Sequence, residues 1–416
     1  MRGAWSPLRH RIFRAMWLAS VVSNVGTWMH TVAAAWLMTM LASSPLPVAL
    51  VQTATTLPVF LLGLPSGAMA DLIDRRRILI FTQSWMAAVA ALLGVMTLTH
   101  RMGAWPLLAL TFALGLGSAM NGPAWAATVP ELVPRTELAA AVALNSVGFN
   151  IARAVGPALG GMVMAASNAG NVFLLNAVSF LGVIAVLWRW RNVRVISDEP
   201  PPRLREAIRA GLDYVRSTRG YHAVLARAGL FAFGGSALWA MLPVVVSAEM
   251  NSTSTRYGIL LGCLGVGSVI GALILAPLRH RYSADHLIGT GVVIFAGATA
   301  ALAMLHVYAL VSLAMLVGGI AWMTVMSTFN VCAQMAPPVW LRARALGYYL
   351  LVFQGAMAIG SGCWGALAGR VGVRASLLAA AAMVGGGVFA IGRLPLSPVV
   401  MEEVEETVTL GESDVA

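Results

Sequence analysis

The chain has 416 residues, of which 59% are hydrophobic and only 10% are charged, and its mean hydropathy is +0.81. A soluble globular protein of this size needs more polar surface, so the composition excludes that class. The net charge of +11 does not indicate nucleic-acid binding, because the arginines lie in short segments between apolar runs, where membrane topology accounts for them. We therefore expect the lipid bilayer as a partner and no nucleic acid.

Apolar runs recur along nearly the whole chain. Each is close to the ~20 residues that a helix needs to cross ~30 Å of hydrocarbon. Their Gly, Ala and Leu content favours helices over the strands of a membrane barrel. We predict spans at 15–40, 47–68, 78–98, 104–124, 139–166, 171–190, 222–248, 257–277, 286–305, 307–332, 345–367 and 374–393.

The arginines orient these spans. With the N-terminus in the cytoplasm, most arginines between spans, including the run Arg75–Arg77, lie on the cytoplasmic side, and few lie outside. An even number of spans places both termini on one side. We therefore predict a multi-pass protein of a bacterial inner membrane with cytoplasmic N- and C-termini.

A polar segment divides the spans into two sets of six. Apolar residues at helical spacing between 204 and 215 predict an amphipathic helix on the cytoplasmic face. A weak repeat, in which residues 132–134 resemble 335–337, indicates duplicated halves. We predict an N-terminal six-helix bundle at 1–190, a central loop at 191–221, a C-terminal six-helix bundle at 222–393 and a disordered acidic tail at 394–416.

The turn between the second and third spans carries a motif, GAMADLIDRRR at residues 67–77. A glycine, an aspartate four residues later and a basic run make it resemble the loop motif of the major facilitator superfamily. It lacks the usual glycine among the basic residues, and its Asp-Arg-Arg variant is similar to the branch of bacterial enterobactin exporters and transmembrane secretion effectors. The resemblance implies an all-α membrane protein with twelve helices in two pseudo-symmetric six-helix bundles.

This motif predicts a gate latch, meaning a set of residues that holds the two bundles in one packing. Gly67 allows helices to approach closely, and Asp71 can accept hydrogen bonds from a helix N-terminus or pair with arginine. The predicted latch residues are Gly67, Asp71, Asp74, Arg75 and Arg76. The alternative, positive-inside topology alone, explains the arginines but not the Gly67–Asp71 spacing.

A second motif lies in the fifth span. Gly156, Pro157, Gly160 and Gly161 resemble the core of a motif that the superfamily associates with exporters, although Ala152 stands where the longer pattern has glycine. Proline kinks a helix and the glycines admit a neighbouring helix. We predict that these residues form a hinge or packing surface, and that the eighth span meets them through Gly258, Gly262, Gly267 and Gly271. Ordinary helix packing is an equally good interpretation.

Arg153 lies near the middle of the fifth span, where a charge costs roughly 2.5 to 3.5 kcal/mol on insertion scales. It shares a helix face with Phe149 and Pro157, so we expect it to face the other half and not lipid. A cost of that size predicts a water-filled cavity or a partner, and a role in substrate binding or coupling. The alternative is that Arg153 binds helix carbonyls and braces the fold.

Coupling residues are harder to assign, because every Asp and Glu lies in a loop, in a tail or near a span end; Glu131 and Glu249 are the nearest. His30 is the deeply placed group that could titrate near neutrality, although a structural histidine bonded to a backbone carbonyl is as good an interpretation. Further candidates for substrate or coupling sites are Asn24, Trp28, Thr31, Phe149, Trp239 and Trp322. One buried arginine and no buried acid favour a neutral or anionic amphipathic substrate.

The sequence thus predicts an alternating-access exporter of a small siderophore-like, drug-like or other amphipathic molecule, driven by protons. An importer or facilitator on the same fold is the alternative. An intramembrane enzyme is disfavoured, because no hydrolase, metalloprotease or phosphate-loop motif is present. Three cysteines lie singly in apolar spans, so we expect no metal and no cofactor, and we expect a monomer.

Overall fold

The computed structural model describes residues 5–190, 212–338 and 341–391. Twelve long helices run through these residues and the described ranges contain no strand. A π-helical turn, Val245–Glu249, directly follows the seventh helix. The helices are α1 (Arg11–Leu41), α2 (Pro45–Leu72), α3 (Arg75–Leu98), α4 (Ala104–Leu132), α5 (Leu138–Ala166), α6 (Ala169–Arg189), α7 (Arg219–Val244), α8 (Ser254–Arg279), α9 (Ala284–Met304), α10 (Tyr308–Met335), α11 (Arg342–Val371) and α12 (Val373–Ile391).

Each predicted span coincides with one of these helices, so the twelve-helix prediction is confirmed. Within the described residues, ten helices are long and apolar enough to cross a membrane. Helix α1 falls outside that set, and it carries a polar stretch around Asn24, Thr27 and His30. Residues 212–217 are helical, but the rest of the predicted amphipathic helix and the acidic tail lie outside the described residues.

The helices form two bundles with the same internal packing. In the first bundle α1 packs on α5 and α6, α3 packs on α4 and α6, and α2 packs on α4. In the second bundle the corresponding pairs recur six helices later: α7 packs on α11 and α12, α9 on α10 and α12, and α8 on α10. This correspondence is the pseudo-symmetry expected of duplicated halves.

Two helix pairs, α2 with α11 and α5 with α8, make most of the contacts between the described parts of the bundles, and α2 also packs on α7. The α2–α11 pair runs from Gly365, which lies against Ala49, to Gly347, which lies against Leu64. The glycines that bring α5 and α8 close together lie between residues 153–161 and 254–265. We call the end that carries residues 72–77 and 279–284 the arginine end, and the end that carries residues 166–169 and 249–254 the opposite end. The α2–α11 contact thus extends towards both ends, whereas the close α5–α8 contacts of glycine stop at Arg153 and Gly265, and we infer that α5 and α8 part towards the arginine end.

Candidate functional site between the bundles

Small residues bring α5 and α8 into backbone contact. A methyl group built on Gly161 would come within 2.5 Å of the carbonyl oxygen of Ser254, and one on Gly265 within 2.9 Å of the Cα atom of Ala154. Gly258 lies equally close to the carbonyl of Pro157. The hydroxyl of Ser254 donates a hydrogen bond to the Gly161 carbonyl across the interface at 3.3 Å. The glycines thus bring the two backbones into contact, and only small side chains such as that of Ser254 lie at these positions of the seam.

The other glycines of the α5 motif face α1. A methyl group on Gly156 would come within 2.6 Å of Trp28 Cβ, and one on Gly160 within 2.7 Å of the Met29 Cα atom. Pro157 has no N–H to bond the carbonyl of Arg153 one turn earlier, and Gly265 of α8 lies against that carbonyl oxygen. The motif therefore wedges α5 between α1 of its own bundle and α8 of the other.

The predicted partner surface on α8 is only half correct. Gly258 and Gly262 do face α5, but Gly267 and Gly271 face α10, against the backbone of Leu316 and Ile320. Gly265, which the sequence analysis did not single out, takes the third position on α5. The glycines run around α8 and serve two neighbours, because α8 packs on both α5 and α10.

Arg153 lies where α5 and α8 begin to part, and two tryptophans flank it. Its guanidinium carbon lies 5.9 Å from the ring centre of Trp28 in α1 and 5.8 Å from that of Trp239 in α7. Its Nε atom is buried without a hydrogen-bond partner, and no described residue forms an ion pair or hydrogen bond with the guanidinium. Arg153 therefore faces the other bundle, and it does not brace the fold through helix carbonyls.

Aromatic side chains continue from both sides of Arg153. On the α1 side, the Trp28 ring centre lies 6.3 Å from that of Phe149, which is 46% exposed. On the α7 side, Trp239 packs edge-on against Trp322, with ring centres 5.5 Å apart. Trp322 is buried among further aromatic rings of the second bundle. The structure thus brings five predicted site residues together: Trp28, Phe149, Arg153, Trp239 and Trp322.

The remaining α1 candidates are placed differently. The Thr31 hydroxyl bonds to the Thr27 carbonyl of its own helix at 3.0 Å, and Asn24 lies half-buried one turn before Trp28. His30 is 3% exposed and packs against Phe173 of α6, with ring centres 4.6 Å apart. Neither of its ring nitrogens has a hydrogen-bond partner. His30 therefore lies inside the first bundle, away from Arg153, and the expected bond to a backbone carbonyl is absent.

The residues of the predicted latch make contacts within the first bundle. Asp74 caps α3 by accepting a hydrogen bond from the Arg77 amide at 3.1 Å. Arg75 pairs with Glu131 of α4 at 2.6 Å, and Arg76 donates to the Leu187 carbonyl of α6 at 2.8 Å. These bonds tie the start of α3 to the ends of α4 and α6.

The first half of the same motif, Gly67 and Asp71, differs from the second half in its described contacts. No atom in the described part of the chain lies within 4 Å of a methyl group built on Gly67, so Gly67 makes no close helix contact with the described residues in this conformation. The side chain of Asp71 lies outside the described part of the chain.

Two charged contacts that involve buried side chains were not predicted from the sequence. Arg227 of α7 is 9% exposed and forms an ion pair with Asp285 at the start of α9, so the expectation of a single buried arginine is wrong. Glu137 is 7% exposed and lies 2.9 Å from His10, so the expectation of no buried acid is also wrong. The sequence did hold a signal for the first pair, because Arg227 lies inside the predicted span 222–248. Among the described residues, no cluster of three His, Cys, Asp or Glu side chains could hold a metal ion.

The family is shown by comparison with known proteins. The model of the transmembrane secretion effector family matches residues 2–415. The chain belongs to this family of major facilitator transporters. It is therefore a multi-pass membrane protein of this family, and the resemblance to the transmembrane secretion effector branch is confirmed.

Two curated transporters illustrate the relationship. The chain is 26% identical to the staphyloferrin A transporter of Staphylococcus aureus over 62% of its own length and 65% of that protein. It is 25% identical to the multidrug efflux pump Tap of Mycolicibacterium fortuitum over 87% of its own length and 90% of the pump. The alignment with the first relative thus spans less than two thirds of that protein.

Solved structures agree on the fold. A bacterial homologue of the human lysosomal transporter Spinster, in an inward-facing and unoccupied conformation, superposes with a TM-score of 0.73. The superposition covers 94% of this chain and 98% of that one at 15% identity. At that identity the likeness shows the fold alone, and the prediction of a major facilitator fold is confirmed.

Proposed function

We propose that this protein is an alternating-access exporter of small amphipathic molecules, coupled to proton exchange across a bacterial inner membrane. The observation that carries the proposal is the position of Arg153 between Trp28 and Trp239, at the depth where α5 and α8 part. Rings from both bundles meet there on a charge that no described residue neutralises. An alternating-access mechanism requires a site of this kind, shared by two bundles that move as units.

The conformation fits the proposed direction. With both termini in the cytoplasm, as proposed, the arginine end is cytoplasmic, and we infer an inward-facing state because the close α5–α8 contacts of glycine lie towards the opposite end. An exporter loads its substrate in such a state. The match to a secretion family and to an efflux pump supports export over import.

The gate-latch proposal concerns the second conformation. In the inward-facing state Asp74, Arg75 and Arg76 bind partners inside the first bundle. We propose that closure of the cytoplasmic end brings Gly67 and Asp71 against the second bundle, where Asp71 accepts hydrogen bonds. Asp71→Asn should then slow transport and leave the amount of protein in the membrane unchanged. Wild-type transport rates in that variant would remove the latch.

Proton coupling needs a titratable group, and the sequence candidates differ in their surroundings. Glu131 pairs with Arg75 at one end of the molecule, and Glu249 pairs with Arg374 at the other, at 2.8 Å. His30 lies in the core of the first bundle. Proton coupling is tested by the effect of a protonophore on transport, in the vesicle experiment described next.

Transport direction is the decisive measurement. Inverted vesicles containing the protein should accumulate radiolabelled 1-naphthylacetate or its neutral analogue 1-naphthylacetamide when respiration acidifies their interior, and a protonophore should abolish accumulation. Vesicles without the protein give the background. Accumulation in right-side-out vesicles instead would support the importer, and accumulation that the protonophore does not affect would remove proton coupling.

A further inference from the structure

The guanidinium of Arg153 has unsatisfied donors. Two indole rings lie 5.9 and 5.8 Å from its central carbon, which stabilises a positive charge through the ring quadrupoles. A guanidinium also has five N–H donors in its own plane, and an indole ring supplies no oxygen to accept them. The Nε donor is buried without an acceptor, and the described residues offer none to the rest of the group.

A second orphaned donor lies at the same place. The indole Nε1 of Trp239 is also buried without a hydrogen-bond partner. Buried donors are nearly always satisfied in proteins, because an unsatisfied donor loses its hydrogen bond to water without gaining another. The two donors belong to side chains that contact each other across the bundles, and we infer that an acceptor occupies this site during the transport cycle. A net positive charge beside both donors favours an acceptor that is an anion.

We propose that the substrate carries a carboxylate, and that this group binds in the plane of the Arg153 guanidinium while its second oxygen accepts from the indole N–H of Trp239. A planar two-oxygen anion matches the planar fork of arginine, and the flanking indoles provide apolar walls for the remainder of an amphipathic molecule. This inference rests on the proposed function, because it names the chemistry of the solute that the same site would carry.

The proposal explains the placement of the two donors on different bundles. Arg153 belongs to α5 and Trp239 to α7, so a carboxylate held by both ties the bundles together through the ligand. When the cytoplasmic end closes and the opposite end opens, α5 and α8 must separate at residues 153–161, and the two donors move apart. Release then follows from the loss of one of the two donors.

Binding to the purified full-length protein in detergent tests the proposal without transport. Isothermal titration compares 1-naphthylacetate with 1-naphthylacetamide, which has the same ring and nearly the same shape but no charge. The wild-type protein should bind the carboxylate at least about tenfold more tightly, as charge-assisted hydrogen bonds predict. Arg153→Gln should abolish that preference, and Trp239→Phe, which keeps a ring but removes the N–H, should reduce it.

Arg256→Gln is the matched control. Arg256 also lies over an aromatic ring, with its central carbon 5.1 Å from the ring centre of Tyr308, but it is outside the site and should keep the full preference. Equal affinity of the wild-type protein for the acid and the amide, or binding of neither, overturns the proposal. So does an Arg153→Gln variant that keeps the preference. If that variant does not fold, an unchanged preference in Trp239→Phe overturns it instead.

The exporter proposal and the carboxylate proposal can be contradicted independently of each other. Accumulation of the neutral amide in inverted vesicles, together with no preference in titration, would leave the exporter intact and remove only the carboxylate. A carboxylate preference that depends on Arg153, together with accumulation only in right-side-out vesicles, would leave the binding chemistry intact and reverse the direction of transport.

Discussion

Arg153 and Arg227 are both arginines inside membrane helices, but different groups stabilise them. Arg227 forms an ion pair with Asp285, and both residues belong to the second bundle. Arg153 touches indole rings from both bundles and has no acidic partner among the described residues. The first charge is neutralised inside one unit, and the second remains at the boundary between two units.

The difference separates two uses of a buried charge. An ion pair within a bundle moves with that bundle, so its contribution to stability is the same in every conformation of the transport cycle. A guanidinium between bundles changes its surroundings when they move. The free energy of the second kind of charge can therefore depend on a bound substrate or on the conformation, whereas the first kind stabilises one bundle.

Substitution of Arg227 should give the largest loss of stability. Removal of one side of a buried ion pair costs about 3–5 kcal/mol, and because Asp285 is 28% exposed on its side chain we expect a value near the lower figure for Arg227→Gln. Unfolding in mixed detergent and SDS micelles, followed by tryptophan fluorescence, measures it. The control is Arg135→Gln, an exposed arginine near the same end.

The double variant Arg227→Gln/Asp285→Asn sharpens this prediction. It should lose less stability than Arg227→Gln alone, because it removes both charges. A single variant as stable as the Arg135→Gln control would show that the pair does not brace the bundle, and the contrast between the two arginines would fail.

A bulky residue at the seam between bundles should have the next largest effect. Gly161→Val places a branched side chain against the Ser254 backbone, and overpacking of this kind costs about 1–3 kcal/mol. The strain exists only while α5 and α8 are in contact, so the variant should shift the conformational equilibrium away from the inward-facing state by roughly 5- to 150-fold. Initial transport rates should fall accordingly.

Gly182→Val is the matched control, because no atom of the described residues lies within 4 Å of a methyl group at Gly182. It should transport at the wild-type rate. Equal rates for Gly161→Val and Gly182→Val would mean that the α5–α8 seam does not limit the cycle.

Much of the fold was predictable from the sequence, because a membrane imposes a simple physical rule. Twelve apolar runs gave twelve helices, and small errors fell at the ends, as for α4, which continues to Leu132 beyond the predicted limit at 124. Hydropathy identifies the residues that can lie in the hydrocarbon core, but it does not show how far a helix continues beyond that core. The recurrence of the same helix contacts six helices later followed from the sequence repeat.

The site was predictable only in part. Periodicity indicated that Arg153 faces the other bundle, but it could not show that Trp28 and Trp239 flank it, since these three residues lie on three helices. The assignment of Gly267 to the α5 surface was wrong because a glycine pattern does not say which neighbour a helix face meets. The Arg227–Asp285 pair joins two helices and depends on a tertiary distance that local spacing does not encode.

The coupling between Arg153 and Trp239 should be smaller than either preceding effect. A double-mutant cycle with Arg153→Gln and Trp239→Leu isolates the cation–π contact across the bundles, which we expect to contribute about 0.5–2 kcal/mol. The same cycle on Arg256 and Tyr308 gives the value for an exposed pair, about 0.5–1 kcal/mol. No coupling in the first cycle would mean that the ring and the charge do not interact across the boundary.

The smallest effect on stability should come from the residue with the largest effect on transport. Arg153→Gln removes a favourable contact with two rings. It also removes the desolvation penalty of a charge that has no acidic partner among the described residues and whose Nε donor is unsatisfied. The net change in the free energy of unfolding should therefore stay below about 1 kcal/mol. The variant should nevertheless lose transport or change its substrate profile. Arg227→Gln in the same micelles provides the comparison. If Arg153→Gln unfolds as easily as Arg227→Gln while its substrate profile is unchanged, then both arginines are structural, and the site between the bundles lies elsewhere.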